Sequence, residues 1–423
     1  MSASPILIVM GTRPEAIKLA PVVAALNELA CCPTRVCVTG QHRDLLSMGL
    51  SAFDVQIDYD LDLMTHDQTP ADVLSRVVAE MAKVIEKEQP RWVVVQGDTT
   101  TALATALAAF HRQTPLAHVE AGLRSGDITQ PWPEEMNRRL IGQIASLHLA
   151  PTELAFDNLV REGVAPESIR VTGNTVIDAL DFAVAALDRS PDRAGPIRGL
   201  LDDLTPETLL VTATIHRREN HPHLDEIERV LQWLGQRDDC CVVFPAHPNP
   251  AITRLAQRLS QSRVKVVPPL GYLPFVALMQ RADLILTDSG GIQEEATALG
   301  KPVLVLRERT ERPEVLQAGN GLLVGTDSAA IISAVAALLD DPAARAAMAQ
   351  QSAPFGDGRA ARRIAAALTG TEPPDMVLPS RPPTGGAHAS SRLMAHPLFL
   401  GDTEGDGRLD EGARDRRAMA QLP

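Results

Sequence analysis

Short apolar and β-branched runs alternate with amphipathic segments along the chain. The runs are ILIVM (6–10), VCVT (36–39), WVVVQ (92–96), LAHVE (116–120), LHLAP (147–151) and IRVTG (169–173). After a Pro- and charge-rich stretch they resume as LLVTA (209–213), CVVFP (241–245), VKVV (264–267), LILTD (284–288), PVLVL (302–306) and LLVG (322–325). Each run has strand length, and the intervening segments 71–88 and 224–235 carry apolar residues at helical spacing. Repeated strand, helix, strand predicts α/β architecture, with parallel sheets covered on both faces. Six predicted strands precede SPDRAGPIRG (190–199) and six follow it, which predicts two doubly wound, Rossmann-like domains with a boundary between about residues 172 and 205. Binding is expected at the carboxyl ends of the strands and in the interdomain cleft.

From about Gly370 the pattern stops, in EPPDMVLPSRPPTGGAHASS and a mixed-charge continuation. Such a composition buries too little apolar surface to offset chain entropy and predicts a disordered tail over 370–423. Within it DTEGDG (402–407) imitates the start of a calcium loop, but Ala413 stands where the bidentate Glu is needed, so no metal site is expected.

Composition narrows the function classes. With 45% apolar and 22% charged residues the 423-residue chain reads as a soluble globular protein. A net charge of −13 argues against a nucleic-acid or anionic-membrane footprint, so a bound anion must be held locally. The five cysteines show no metal-ligand spacing and read as reduced thiols. No apolar stretch has membrane length, and MSASPILIVM lacks a basic leader region; a cytoplasmic protein is the expectation.

The candidate chemistry lies at the predicted strand ends. GTRPEAIK (11–18) lacks the three glycines of a dinucleotide turn, so no NAD or other cofactor is expected; Arg13 and Lys18 instead flank a helix start suited to an anion, or lie on a solvated helix face. Asp98 and Glu120 close two successive strands; Asp98 can also be read as a helix cap, whereas no cap calls for Glu120. In PWPEEMNRR (131–139), Glu134 and Glu135 suit a first helical turn, and one of them can have a second role. TIHRREN (214–220) brings His216 and Arg217 to a strand end, and PAHPNP (245–250) brings His247. In TDSGGIQEEA (287–296), Ser289, Gly290 and Gly291 offer backbone N–H groups to a diphosphate, and a glutamate beyond them suits a ribose. Arg312 in RERTERPE (307–314) is a phosphate cation or part of a surface ion ladder.

These blocks, together with GQHRDLL (40–46), TGNTVIDAL (172–180) and YLPFVALM (272–279), resemble the bacterial non-hydrolysing UDP-N-acetylglucosamine 2-epimerase family, in order, over roughly residues 6–368. The resemblance implies a GT-B fold with residues 1–172 and 173–355 as its two domains, a helix over 356–369 crossing back to the first, and a homodimer. It implies reversible C2 epimerisation of UDP-N-acetylglucosamine through elimination of UDP, supplying surface or exopolysaccharide synthesis. Asp98, Glu120 and Glu134 would be the catalytic carboxylates, with His216 at the leaving diphosphate. Arg13, Lys18 and Arg312 would contact nucleotide, phosphate or sugar; Phe275 would pack by uracil, Ser289, Gly290 and Gly291 would hold the diphosphate, and Glu295 the ribose. Many members also bind a second UDP-N-acetylglucosamine as an allosteric activator, at positions resembling Gln41, His42, Gln68, Arg217 and His247. Asp67, Leu270-Gly271 and HPH (221–223) depart from the common pattern. A hydrolysing epimerase and a GT-B glycosyltransferase are the alternative activities.

Overall fold

The computed structural model describes residues 4–40, 52–63, 65 and 68–371. Gln41, His42, Asp67 and the 402–407 segment therefore lie outside the described residues. Two wholly parallel sheets carry the fold. The first contains β1 (Ile6–Met10), β2 (Thr34–Val38), β3 (Tyr59–Asp60), β4 (Trp92–Gln96), β5 (Leu116–Val119), β6 (Leu147–Ala150) and β7 (Ile169–Val171), in the order β3-β2-β1-β4-β5-β6-β7. The second contains β8 (Leu209–Thr214), β9 (Cys240–Pro245), β10 (Lys265–Val267), β11 (Leu284–Thr287), β12 (Val303–Val305) and β13 (Gly321–Leu323), in the order β10-β9-β8-β11-β12-β13. The predicted strands are all present. The additional β3 pairs only Cys37 with Tyr59 and Val38 with Asp60, and two residues leave no readable periodicity.

Strand order reverses between β1 and β4 in one sheet and between β8 and β11 in the other. At such switch points the connections leave in opposite directions and open a crevice beyond the carboxyl ends of the strands. The helices that build that region are α1 (Arg13–Leu29), α2 (Thr100–His111), α3 (Glu134–Ile144), α4 (Thr175–Arg189), α5 (Tyr272–Arg281), α6 (Gly290–Ala298) and α7 (Ala360–Thr369). The predicted 71–88 and 224–235 helices form as Pro70–Glu88 and Leu224–Gly235. Among the described residues no helix is long and apolar enough to cross a membrane.

Every residue of β1 is buried, as the centre of a sheet with helices on both faces requires. Ile6 and Ile8 pack with Ala361, Ile364, Ala365 and Leu368 of α7, so α7 completes the core of the first sheet. The α7 start is tied down by Asp178 of α4, whose carboxylate accepts the N–H groups of Ala360 and Ala361 at 3.2 and 2.9 Å. In turn α4 packs against both α1 and α5, joining the two halves.

Two histidines face each other in register across β5 and β6, His118 and His148, both buried. His118 Nε2 donates to the Gly97 carbonyl at 2.7 Å, and neither Nδ1 has a protein partner. Burial pushes the two rings down to about 3 and about 4, so both stay neutral in the folded state. Because the unfolded chain takes up these protons near pH 6.5 and the folded chain cannot, the pair removes stability as pH falls from 6.5 towards those values, by roughly 1.4 kcal/mol per pH unit per ring. A urea series at pH 7, 6 and 5 should therefore show His118→Gln gaining on the unaltered protein as pH drops; a gap independent of pH contradicts this.

Candidate active site

The loops at both switch points line one cavity of about 1340 Å³. Its wall contains Arg13, Lys18, Asp98, Glu120, Glu134, His216, Phe275, Ser289, Gly290, Gly291, Glu295 and Arg312, and also Gln68, Arg217 and His247. Residues read from motifs up to about 300 positions apart are thus brought to one place.

On the first-sheet side, the loop after β1 is held by a buried carboxylate. Glu15 accepts the N–H of Gly11 at 3.0 Å and of Thr12 at 2.6 Å, and the Thr99 hydroxyl donates to its other oxygen at 2.8 Å. This staples the loops after β1 and β4 together. Burial pushes Glu15 up to about 7 against those bonds. Gly11 fits there because a Cβ would run into the Thr101 side chain.

Asp98 is not the cap of α2. Thr99 takes that role, accepting from the Ala102 N–H at 3.0 Å, and Asp98 is left to turn its carboxylate to Arg138, 2.5 Å away. Its carbonyl is held by the Asn137 amide at 2.8 Å. Glu120 adopts φ +65°, a left-handed conformation that costs a non-glycine residue about 1–2 kcal/mol and is found where a site needs it. Its carboxylate accepts from Lys18 Nζ and, at 2.8 Å, from Asn174 Nδ2, with Arg312 Nη2 3.6 Å from the other oxygen. Burial alone would raise its pKa, but Lys18 and Arg312 outweigh burial and hold it below the ordinary carboxylate value.

Glu134 and Glu135 share the first turn of α3 and part company there. Glu135 is wholly buried, accepting from Arg138 at 3.0 Å and Arg139 at 3.4 Å and from the Ser125 N–H at 3.1 Å; it is structural. Glu134 faces the cavity, and burial followed by repulsion from Asp98 pushes it up, against the pull of Arg217 and Arg138. Glu120 and Glu134 thus sit in one cavity with opposite tendencies, one held below and one pushed above the ordinary carboxylate value.

On the second-sheet side, Asp288 ends β11 and is fully buried. It accepts the N–H of His216 at 3.1 Å and of Arg217 at 2.9 Å, the Asn220 amide at 2.9 Å, and His216 Nδ1 at 2.9 Å. Against the opposing effect of burial, His216 and those donors hold it down at about 2. The ionised Asp288 fixes the imidazole through Nδ1, leaving Nε2 for a ligand. The His247 ring lies 6.2 Å from that of His216.

Ser289 begins α6 without capping it through its side chain, so the helix N-terminus presents N–H groups to the cavity. The two glycines differ in purpose. A Cβ on Gly291 would meet open space, consistent with close ligand approach, whereas one on Gly290 would collide with the Arg312 guanidinium. Glu295 accepts from the Tyr272 hydroxyl at 2.8 Å, and burial pushes it up to about 7. Phe275 is buried on α5 at the cavity wall.

Arg312 belongs to a buried charge network, not a surface ladder. It pairs with Glu294, with Glu311 at 2.6 Å and with Glu120 at 3.6 Å. Glu311 also receives Arg307 at 2.7 Å, Arg217 at 3.3 Å and Arg138 at 3.6 Å. The network runs unbroken from Asp98 and Glu120 on one half to Glu294 on the other. Sequence reading did not assign Glu15, Arg138, Asn174, Asp288, Glu294 or Glu311. Of these, Asp288 had a visible signal, an acidic residue closing a strand as Asp98 and Glu120 do.

All five cysteines are free thiols. Among the described residues no cluster of three or more His, Cys, Asp or Glu side chains is arranged to hold a metal ion.

The UDP-N-acetylglucosamine 2-epimerase family model matches residues 24–369, most of the chain. The chain belongs to the UDP-N-acetylglucosamine 2-epimerase family. It is 45% identical over 369 residues to the UDP-N-acetylglucosamine 2-epimerase of Yersinia pestis, covering 86% of this chain and 98% of that one. The Escherichia coli K12 enzyme of the same name is 44% identical over 367 residues, with the same coverage. The crystal structure of the Neisseria meningitidis epimerase bound to UDP-GlcNAc superposes with a TM-score of 0.82 at 40% identity, covering 87% of this chain and all of that one. The two-sheet α/β arrangement is the GT-B type of these epimerases.

Proposed function

We propose that the chain interconverts UDP-N-acetylglucosamine and UDP-N-acetylmannosamine without hydrolysing either, by eliminating UDP and adding it back. The C2 proton of the sugar is not acidic enough for simple exchange. Its removal by a carboxylate can be coupled to departure of UDP from C1, the C–H electron pair forming the C1–C2 double bond of 2-acetamidoglucal and the C1–O electron pair leaving with UDP. Protonation at C2 from the opposite face, with UDP re-adding at C1, completes the inversion, and no oxidant is consumed. The reading needs two acid/base groups in opposite protonation states and cations around a departing diphosphate. Its single strongest support is the convergence of Asp98, Glu120 and Glu134 on one cavity, with Glu120 held below and Glu134 pushed above the ordinary carboxylate value.

In this account Glu120 is the base and Glu134 the acid in one direction, with Asp98 tuning Glu134. The His216 imidazole, Arg13, Lys18 and the α6 N-terminus meet the diphosphate, Phe275 the uracil and Glu295 the ribose. The Gln68, Arg217 and His247 side of the cavity takes a second UDP-N-acetylglucosamine as activator. The product would feed surface polysaccharide synthesis. The test is NMR of the mixture formed from UDP-N-acetylglucosamine, with a coupled assay for free UDP. An equilibrium mixture of the two nucleotide sugars, without stoichiometric UDP, is expected; accumulation of UDP and free N-acetylmannosamine would instead mark a hydrolysing enzyme.

A homodimer is part of the same proposal. Met136 and Leu140 lie one turn apart on α3 and are 43% and 40% exposed, with Trp132 60% exposed in the turn before it, beside α2, which exposes Phe110. Such a stripe suits burial against a second copy. Light scattering behind gel filtration should give a dimer for the unaltered chain and a monomer for Leu140→Glu; a monomeric unaltered chain would remove the dimer.

A further inference from the structure

Asn174 stands where the chain passes from the first sheet towards the second half, and the returning segment before α7 touches it there. Gly173 (φ +85°) and Gly356 (φ +124°) face one another so closely that a Cβ on either would lie 3.3 or 3.1 Å from the other's Cα. The Asn174 N–H donates to the Phe355 carbonyl at 2.6 Å. The backbone of Asn174 is thereby fixed by both crossings of the chain.

Its side chain is fixed as well. Oδ1 accepts the Val176 N–H at 3.3 Å and caps α4, which sets the orientation of the amide. Nδ2 then points at two carboxylates, donating to Glu120 Oε2 at 2.8 Å and to Glu294 Oε2 at 2.6 Å. The flipped amide would place an oxygen against both carboxylates, so the geometry admits one assignment. One NH₂ group has two hydrogens, and each is used by a carboxylate from a different half of the molecule.

We infer that Asn174 is a positioning residue for Glu120, orienting that carboxylate for proton transfer by bridging it to Glu294, which acts as the second anchor. The inference rests on the epimerase reading of the cleft. Lys18 from α1, Arg312 from the segment after β12 and Glu295 beside Glu294 are the other charged groups facing the pair. Glu294 is raised to about 7 by burial, with Arg312 and Lys18 opposing and Glu120 reinforcing the rise.

The experiment is the pH dependence of kcat and kcat/KM for the full chain, Asn174→Ser and Glu294→Gln on UDP-N-acetylglucosamine, with folding checked by circular dichroism. Serine keeps a helix-capping oxygen but cannot reach the carboxylates. Asn174→Ser should lower kcat on the order of 10²-fold with KM little changed, as misplacement of a reacting group does. It should also move the acid limb of kcat/KM to higher pH, because a donor favouring ionised Glu120 is lost. Glu294→Gln keeps an acceptor for Asn174, and Glu294 itself is already uncharged where that limb lies, so this variant should leave the limb in place. A folded Asn174→Ser variant whose acid limb stays where the unaltered chain's lies overturns the inference while leaving the epimerase reading intact. An unaltered chain that does not turn over UDP-N-acetylglucosamine overturns both. If Asn174→Ser does not fold, Asn174→Asp, which keeps a helix-capping oxygen but puts a carboxyl in place of the donor, decides by the same shift to higher pH.

Discussion

Glu120→Gln lowers kcat for epimerisation on the order of 10³-fold, leaves KM within a few-fold, and flattens the acid limb of the pH–rate profile. Glu120 is held ionised by Lys18 and Arg312 in spite of burial, so it can serve as a base. A base of this kind loses activity as pH falls through its lowered pKa, and the amide removes that titration. Glu134 has the opposite sign: raised by burial and by Asp98, it donates while protonated, and activity is lost as pH rises through its value. Glu134→Gln should accordingly flatten the alkaline limb, so the two variants distinguish the two groups. A Glu120→Gln enzyme with kcat within tenfold of the unaltered chain would remove Glu120 from the proton-transfer step.

Glu311→Ala produces the largest loss of stability, about 3–5 kcal/mol, read as a fall in the urea midpoint at unchanged slope. Glu311 is wholly buried with Arg312, Arg307, Arg217 and Arg138 within 2.6 to 3.6 Å of its carboxylate. Those guanidiniums, with burial opposing, hold it well below the ordinary carboxylate range. Deleting the carboxylate leaves buried cations with fewer counter-charges, and an arginine does not escape by losing its proton. By contrast Asp225→Ala, at an exposed pair with Arg258, should move the midpoint little. Equal effects at the two positions would contradict the network as described.

The sheets were legible because parallel strands buried on both faces read as uninterrupted apolar runs, and their Gly and Pro punctuation marks the ends. The two-residue β3 was not, since it lacks a period to read. At the site, residues that end strands could be found from the sequence: Asp98, Glu120 and His216 were identified in this way. What position alone could not distinguish was direction. Glu134 and Glu135 are neighbours with the same helical logic, and only packing shows that Glu135 turns inward to Arg138 while Glu134 faces the cavity. The cap reading of Asp98 failed for a related reason, because Thr99 one residue later does the same work. Asn174 and Glu311 act across the crossing between halves, through partners as far as 173 positions away, and no local pattern carries that information. Gly290 shows the same limit: its missing side chain makes room for Arg312, which the sequence places beyond the next strand.

The central claim is that the cleft breaks the C2–H bond of the sugar and remakes it on either face. Incubating the purified chain with UDP-N-acetylglucosamine in D₂O and reading C2 of both epimers by NMR tests it most directly. The account predicts deuterium at C2 of UDP-N-acetylmannosamine and, as the mixture approaches equilibrium, of recovered UDP-N-acetylglucosamine. Inversion with hydrogen retained at C2, or no exchange above an enzyme-free control, contradicts it.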